Sequence, residues 1–329
     1  MRVAINGFGR IGRTILRQIL VQPGHPDVDV VALNDIAPLD CCAYLFRYDS
    51  VFGPYPGEVR GEDGALVVDT RRIPFRAEPD ITALDLSDVD VLIECTGKAN
   101  TREVAGLGLK AGAKNVLISG PSDAADITLV LGANDHLLTD QRVVSNASCT
   151  TNALAPLLRV LHEDLGVAQG HMTTIHCYTG SQPMVDAPRA SHARSRAGAV
   201  SMIPTTTSAT RLVGEILPQL KDRISGAAVR VPTLSVSAVD LVLQLDKLPE
   251  KGLNAYLKER FVGSNLIGFV GDSAVSTDMR GRSEAVVIAL PETIEKGTDQ
   301  VRLFGWYDNE WGYSARVIEL ARRMVARDG

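Results

Sequence analysis

Apolar positions along the first 148 residues alternate between two periods. Short β-branched runs at 2–6, 28–33, 89–95, 116–118, 127–131 and 142–145 predict strands, most of them too continuously apolar to have a solvated face. Between them, Ile11, Ile15 and Ile19 mark the buried stripe of a helix, and 101–111 predicts another. Strands alternating with helices predict a parallel sheet covered on both faces, a doubly wound α/β architecture. The pattern changes after Cys149. A helix over 151–165 precedes longer, partly alternating strands at 172–178, 227–231, 236–245 and 285–290, which predict an α+β domain with a mainly antiparallel sheet. The stretch 178–203 is rich in Gly, Ser, Ala, Pro and Arg without a period, and a loop of that length inside a compact protein is functional or covered at a contact. Finally, Val317, Leu320, Ala321, Met324 and Val325 fall on one face of a C-terminal helix over 313–327. The expected domains are therefore 1–148, completed by a returning helix at 312–329, and 149–311.

Length and composition support two soluble domains. With 329 residues, 45% hydrophobic and 22% charged, the chain can bury two cores. A formal net charge of -5 and the lack of a dense basic stripe argue against nucleic acid as a primary partner. No apolar run is long enough to span a bilayer, and the first residues lack the pattern of a secretion signal, so a cytoplasmic location is expected. The five cysteines, Cys41, Cys42, Cys95, Cys149 and Cys177, form no CxxC pair, so neither a disulfide framework nor a metal site is indicated.

Two segments carry chemistry. Asn6, Gly7, Phe8, Gly9, Arg10, Ile11 and Gly12 contain GxGxxG between a predicted strand and helix. There, glycines allow a tight turn and the helix N-terminus receives a pyrophosphate. Asp35, just past the second strand, suits the ribose hydroxyls of NAD and repels a 2'-phosphate. The second segment is Ser148-Cys149-Thr150-Thr151-Asn152, polar and opening onto a helix. A thiol there faces the positive end of the helix dipole, which predicts a lowered pKa and a nucleophile. Of six histidines, His176 stands at a strand end followed by Thr179, Gly180 and Ser181, the position expected of the thiol's base.

Taken with Cys95-Thr96-Gly97, Thr173 to His176, Pro204 to Thr207, Arg230-Val231-Pro232-Thr233 and Tyr307 to Tyr313, these segments occur in the order and spacing of the phosphorylating glyceraldehyde-3-phosphate dehydrogenase family, which the chain resembles from end to end. The resemblance implies that Cys149 attacks an aldehyde with His176 as base. Hydride passes to NAD, and inorganic phosphate cleaves the resulting thioester to 1,3-bisphosphoglycerate. It further implies cofactor contacts from Thr96, Gly97, Ser119, Asn309 and Tyr313 beside the glycine segment. Thr179 and Arg230 would hold the substrate's phosphate, and Ser148, Thr150, Thr207 and Arg194 the attacking phosphate. A homotetramer is implied, with the 178–203 loop at a subunit contact.

Three positions depart from the family pattern. Ala153 replaces a second cysteine, Gly120 an alanine, and Ser181 an aspartate near the substrate phosphate. The last leaves open a paralogous sugar-phosphate dehydrogenase, for example one using erythrose 4-phosphate; the resemblance, whose chemistry accepts arsenate in place of phosphate, separately leaves open a role in arsenate handling. A non-enzymatic NAD-sensing protein is the alternative from another class.

Overall fold

In the computed structural model, which describes residues 1–21, 24–189 and 191–327, the chain divides into two compact units. One comprises 1–129, 136–147 and 314–329; the other comprises 130–135 and 148–313. Residues 328 and 329 of the expected C-terminal helix, and position 190 of the long loop, lie outside the described residues.

The first unit opens with β1 (Arg2–Asn6), α1 (Arg10–Leu20), β2 (Asp29–Asn34) and α2 (Leu39–Arg47). A short meander follows, β3 (Val59–Glu62), β4 (Ala65–Val68) and β5 (Arg71–Arg76). The chain then continues through β6 (Val91–Glu94), α3 (Arg102–Ala105), α4 (Leu107–Lys110), β7 (Asn115–Ile118), β8 (Ile127–Thr128) and β9 (Val143–Ser145). Their order in the sheet is β3-β4-β5-β2-β1-β6-β7-β9-β8. From β5 to β8 each neighbouring pair is parallel, whereas β3, β4 and β5 pair antiparallel. β1 leads outward to β2, and the chain later returns to β6 on β1's other side. That reversal is the switch point at which doubly wound sheets bind ligands. Every residue of β6 and β7 is buried, which explains their continuous apolar runs.

Some local expectations are corrected. The helix predicted over 101–111 is broken at Gly106 into α3 and α4, and the strand predicted over 127–131 is only the two residues of β8. α2 and the β3–β5 meander, whose strands pair through short hairpins, have no counterpart in the predicted pattern.

The second unit begins with α5 (Cys149–Leu165) and β10 (Val167–Cys177). After the long loop come β11 (Ile203–Thr205), α6 (Ala209–Ile216), β12 (Ile224–Val231), β13 (Ser237–Leu245), α7 (Leu253–Arg260), β14 (Ile267–Val270), β15 (Val286–Ala289), β16 (Ile294–Lys296) and β17 (Gln300–Tyr307). The sheet runs β11-β12-β10-β13-β17-β15-β14, with β16 on β17. Most pairings are antiparallel, but β10 with β12 and β14 with β15 are parallel, so the sheet is mixed. β17 alternates buried and half-buried positions as a sheet covered mainly on one face should. α5 supplies cover through Leu154, Leu158, Leu161 and Leu165, and packs against β10 and β13. The last helix, α8 (Trp311–Ala326), returns from Ser314 onward to the first unit, where Arg322 pairs with Asp27 at 2.7 Å and Val317, Leu320, Ala321 and Met324 are buried. Among the described residues, no helix is long and apolar enough to cross a membrane.

Gly12 carries the turn between β1 and α1, because a Cβ there would stand 2.1 Å from the Gly7 carbonyl oxygen, whereas one on Gly9 would meet nothing within 4 Å. Gly12→Ala is expected to lose about 1–3 kcal/mol of stability to this overpacking. Gly9→Ala should stay close to the parent. Denaturant midpoints of the two variants check the contrast.

Candidate active site

The glycine segment and the ends of β1 and β6 frame a groove of about 290 Å³ in the first unit. Gly7 has φ of +92°, and a Cβ on it would stand 2.7 Å from the backbone of Cys95 and Thr96, so only glycine permits β1 and β6 to approach so closely at this turn. Asn6 is locked at the base of the groove, donating to Glu94 at 2.5 Å and accepting from Asn34 at 2.8 Å. Asp35 accepts from the backbone N–H groups of Phe8 at 2.6 Å and Ala37 at 2.9 Å, which holds its carboxylate at the groove wall. Thr96 is tied through its N–H and hydroxyl to Glu94.

The groove has features that suit part of a dinucleotide, with Asp35 and Thr96 on its wall and Gly7 and Gly9 at its edge. α1 follows Gly9 at its N-cap with no side-chain cap and no acid in its first turn, and a helix start of that kind carries the positive end of the helix dipole toward an anion. Arg10, Ile11, Gly12, Gly97 and Ser119 do not line the groove. The Arg10 guanidinium is instead paired with Asp49 at 2.7 Å. Ser119, immediately after β7, has its N–H on the Glu94 carbonyl at 2.9 Å. The sequence pattern passed over Glu78 and Lys98, which also line the groove; neither belongs to a recognisable motif.

In the second unit, Ser148 caps α5, its hydroxyl accepting from the Thr151 N–H at 3.0 Å, so Cys149 is the first helical residue. Its Sγ lies 3.6 Å from His176 Nε2. The parallel register of β10 and β12 sets Arg230 directly beside His176. Both the Cys177 carbonyl and Arg230 Nη1 lie 2.7 Å from His176 Nδ1, and Arg230 also donates to that carbonyl at 3.0 Å. One nitrogen can satisfy only one of them. With the proton on Nδ1 and bonded to the carbonyl, Nε2 keeps its lone pair toward the sulfur, the state a base requires.

The electrostatics differ from the sequence-based expectation. Burial pushes the Cys149 thiol up from its ordinary value, opposed by the Arg230 charge, the Thr150 hydroxyl and backbone N–H groups at the helix start. Burial, with the charges of Arg230 and Arg194, lowers His176 to about 4 despite its bond to the Cys177 carbonyl. Desolvation therefore acts on the thiol against the helix dipole on which the lowered thiol pKa was predicated, and it favours the uncharged imidazole.

Arg194 donates to Thr205 Oγ1 at 2.7 Å, and it and Arg230 are near enough for Arg194's charge to lower Arg230. Among the described residues neither has a carboxylate partner, an arrangement that favours anions. Thr179 Oγ1 pairs with Ser181 Oγ at 3.0 Å, and the Thr207 hydroxyl accepts from the Ala209 N–H at 3.1 Å. Thr150 is turned inward: its buried hydroxyl bonds Tyr307 at 2.9 Å, and Tyr307 continues to Thr174 at 2.8 Å. That commitment makes Thr150 a poorer phosphate donor than its motif implied and reveals Tyr307, which sequence reasoning left without a role. Asn309 and Tyr313 are both buried, Tyr313 at the start of α8.

Residues 1–102 match the family described as glyceraldehyde 3-phosphate dehydrogenase, NAD binding domain, and 148–309 match its C-terminal domain. The chain belongs to the glyceraldehyde-3-phosphate dehydrogenase family. It is 45% identical to the glyceraldehyde-3-phosphate dehydrogenase of Cereibacter sphaeroides, with 98% of each chain covered. It is 42% identical to that of Geobacillus stearothermophilus over 99% of each, and 41% identical to glyceraldehyde-3-phosphate dehydrogenase 1 of Bacillus subtilis over 100% of this chain and 99% of the relative. Of the departures from the family pattern, Gly120 has open space where a Cβ would sit, and Ala153 is fully buried in α5.

Arg230→Gln should raise both titrations in the pair, since the Arg230 charge lowers His176 and Cys149 alike. Histidine NMR should show His176 moving up from about 4, and the pH profile of Cys149 alkylation by iodoacetamide should move upward with it.

Proposed function

We propose that this enzyme oxidises D-glyceraldehyde 3-phosphate to 1,3-bisphosphoglycerate with NAD and inorganic phosphate. The observation that carries the reading is Cys149 Sγ at 3.6 Å from a His176 whose other nitrogen is braced by the Cys177 carbonyl, beside two arginines without carboxylate partners. Membership of the family supports the same substrate and acceptor.

As the Cys149 sulfur adds to the aldehyde carbon, its proton passes to His176 Nε2 and on to the new alkoxide, giving a hemithioacetal and returning the imidazole to neutrality. When bound, NAD supplies the acceptor for the hydride that leaves the hemithioacetal carbon. His176 takes the hydroxyl proton in that step, so a thioester forms at Cys149. The Cys149 N–H at the start of α5 and the His176 ring then stabilise negative charge on the carbonyl oxygen as phosphate adds. The sulfur departs and recovers the proton from His176. Arg230 and Thr179 hold the substrate's phosphate; Arg194, Ser148 and Thr207 hold the attacking one, with Thr150 acting mainly on the sulfur. Gly7, Gly9 and the start of α1 receive the pyrophosphate, and Asp35 the adenosine ribose. Thr96, Gly97 and Ser119 shape the cofactor site, while Asn309 orients the nicotinamide carboxamide near Tyr313. Ser181 replaces a carboxylate beside Thr179 with an uncharged hydroxyl, which lessens repulsion of a phosphate.

The assembly we propose is a homotetramer. Met184, Val185, Val200 and Met202 in the long loop are each at least 75% exposed, apolar area that a subunit contact would cover. Because Cys149 attacks only when reduced, the compartment is taken to be the cytoplasm.

A rapid-mixing experiment tests the chemistry. With aldehyde and NAD but no phosphate, one NADH per active site should form and then stop; adding phosphate should restore turnover. Cys149→Ser should abolish the burst and reduce turnover by about 10,000-fold. Sustained phosphate-independent turnover, with erythrose 4-phosphate preferred, would replace this reading by the four-carbon one. Light scattering should give the mass of four chains, and Met184→Asp combined with Val200→Asp should give a smaller species.

A further inference from the structure

Three strand ends converge behind His176. β10 ends at Cys177, β13 begins at Ser237, and β17 ends two residues before Asn309, with Ser237 paired to Tyr307 in the ladder. Where they meet, the Asn309 side-chain oxygen accepts two hydrogen bonds, from Cys177 Sγ at 3.2 Å and from Ser237 Oγ at 3.1 Å. Ser237 Oγ in turn accepts from the Cys177 backbone N–H at 3.2 Å. Asn309 is 7% exposed, and its Nδ2 makes no hydrogen bond among the described residues.

We propose that Cys177 is a positioning residue for the cofactor: with Ser237 it saturates the Asn309 amide oxygen and so presents Nδ2 outward as a donor to the nicotinamide carboxamide oxygen. The inference rests on the reading of Asn309 as the carboxamide's partner.

The two ends of an amide have nearly the same shape, so an asparagine keeps one orientation only if its surroundings distinguish donor from acceptor. Here they do. Ser237 Oγ already accepts the Cys177 N–H, and its single proton goes to Asn309 Oδ1. Turning the amide over would place an NH2 against that hydroxyl proton and against the Cys177 S–H, and both would have to reverse. The thiol stays protonated for this purpose, since burial pushes it up to about 12. The backbone is held in an uncommon shape to complete the arrangement. Val236, immediately before Ser237, has φ of +68°, a conformation that a β-branched residue adopts only where the surroundings impose it.

Cys177 thereby serves both halves of the reaction through different atoms. Its carbonyl orients His176, and its side chain orients Asn309. A side-chain substitution leaves the carbonyl in place, which separates the two roles experimentally.

The test uses the full-length enzyme with NAD, the three-carbon aldehyde phosphate carrying deuterium on its aldehyde carbon, and phosphate. In Cys177→Ala, KM for NAD should rise about fivefold, the equivalent of one lost neutral hydrogen bond. KM for the aldehyde and the pH profile of Cys149 alkylation should not move. Deuterium delivered to the nicotinamide C4 should lose stereochemical purity, because a carboxamide without its fixed donor can present either ring face. Cys177→Ser, which keeps a donor, should bring KM and purity back toward the parent. If Cys177→Ala does not fold, Cys177→Val carries the same comparison, since it fills the space without a donor. Asn309→Ala is the control for the underlying reading. If it raises KM for NAD while the Cys177 variants do not, Cys177 has no positioning role. If Asn309→Ala itself leaves that KM unchanged, Asn309 is not the carboxamide's partner and the inference falls with it. A Cys177 variant that shifts the alkylation profile together with both KM values would reveal a general disturbance and would equally overturn the proposal.

Discussion

The parallel pairing of β10 with β12 is the constraint on which the site depends. Its register sets His176 opposite Arg230 and Cys177 opposite Val231. A slip of one residue would carry the imidazole and guanidinium to different faces of the sheet, because side chains alternate along a strand. In register, the Arg230 cation stands at the imidazole's far nitrogen and the Cys177 carbonyl beside it, leaving the near nitrogen to the sulfur. A parallel pair needs a long crossover, which the chain supplies as the irregular loop, β11 and α6 between β10 and β12. The same crossover carries Thr179, Arg194 and Thr207. The long loop is thus the first part of the crossover of the strand pair that builds the site.

Burial then sets the chemical character of the pair. The interior that orients Cys149 and His176 also removes water from them, and desolvation disfavours both the thiolate and the imidazolium. Desolvation thus bears on both members of a pair whose sulfur and near nitrogen stand 3.6 Å apart. A cation beside the imidazole keeps it neutral, while the same charge favours the sulfur's anion. Arg230 thus acts electrostatically on both members of the pair.

Elsewhere the sheet ends act as a scaffold for fixed amides and hydroxyls. Tyr307 links Thr150 to Thr174, and Asn309 is held by Cys177 and Ser237. In each case a buried polar group finds its partner on a strand far away in sequence, as the cost of an unpaired buried group demands. Gly7 plays the corresponding part in the first unit, where its missing side chain lets two strand ends close on the groove.

The amino-acid sequence by itself determined the doubly wound first sheet, since continuous apolar runs alternating with helical stripes have few other solutions. It also marked the glycine turn and Asp35 through their spacing, and it set Cys149 apart as a thiol among polar residues at a helix start. Those signals are local, carried by backbone conformations and neighbours within a few positions. The tertiary structure decided what depended on distant partners. It made the second sheet mixed, tied Arg10 to Asp49, turned Thr150 toward Tyr307, and reversed the expected direction of the Cys149 pKa. The physical reason is common to all of these: a hydrogen bond, a strand register or a desolvation energy belongs to a pair of groups. Its members here lie tens to more than a hundred residues apart, where no periodicity in the chain relates them.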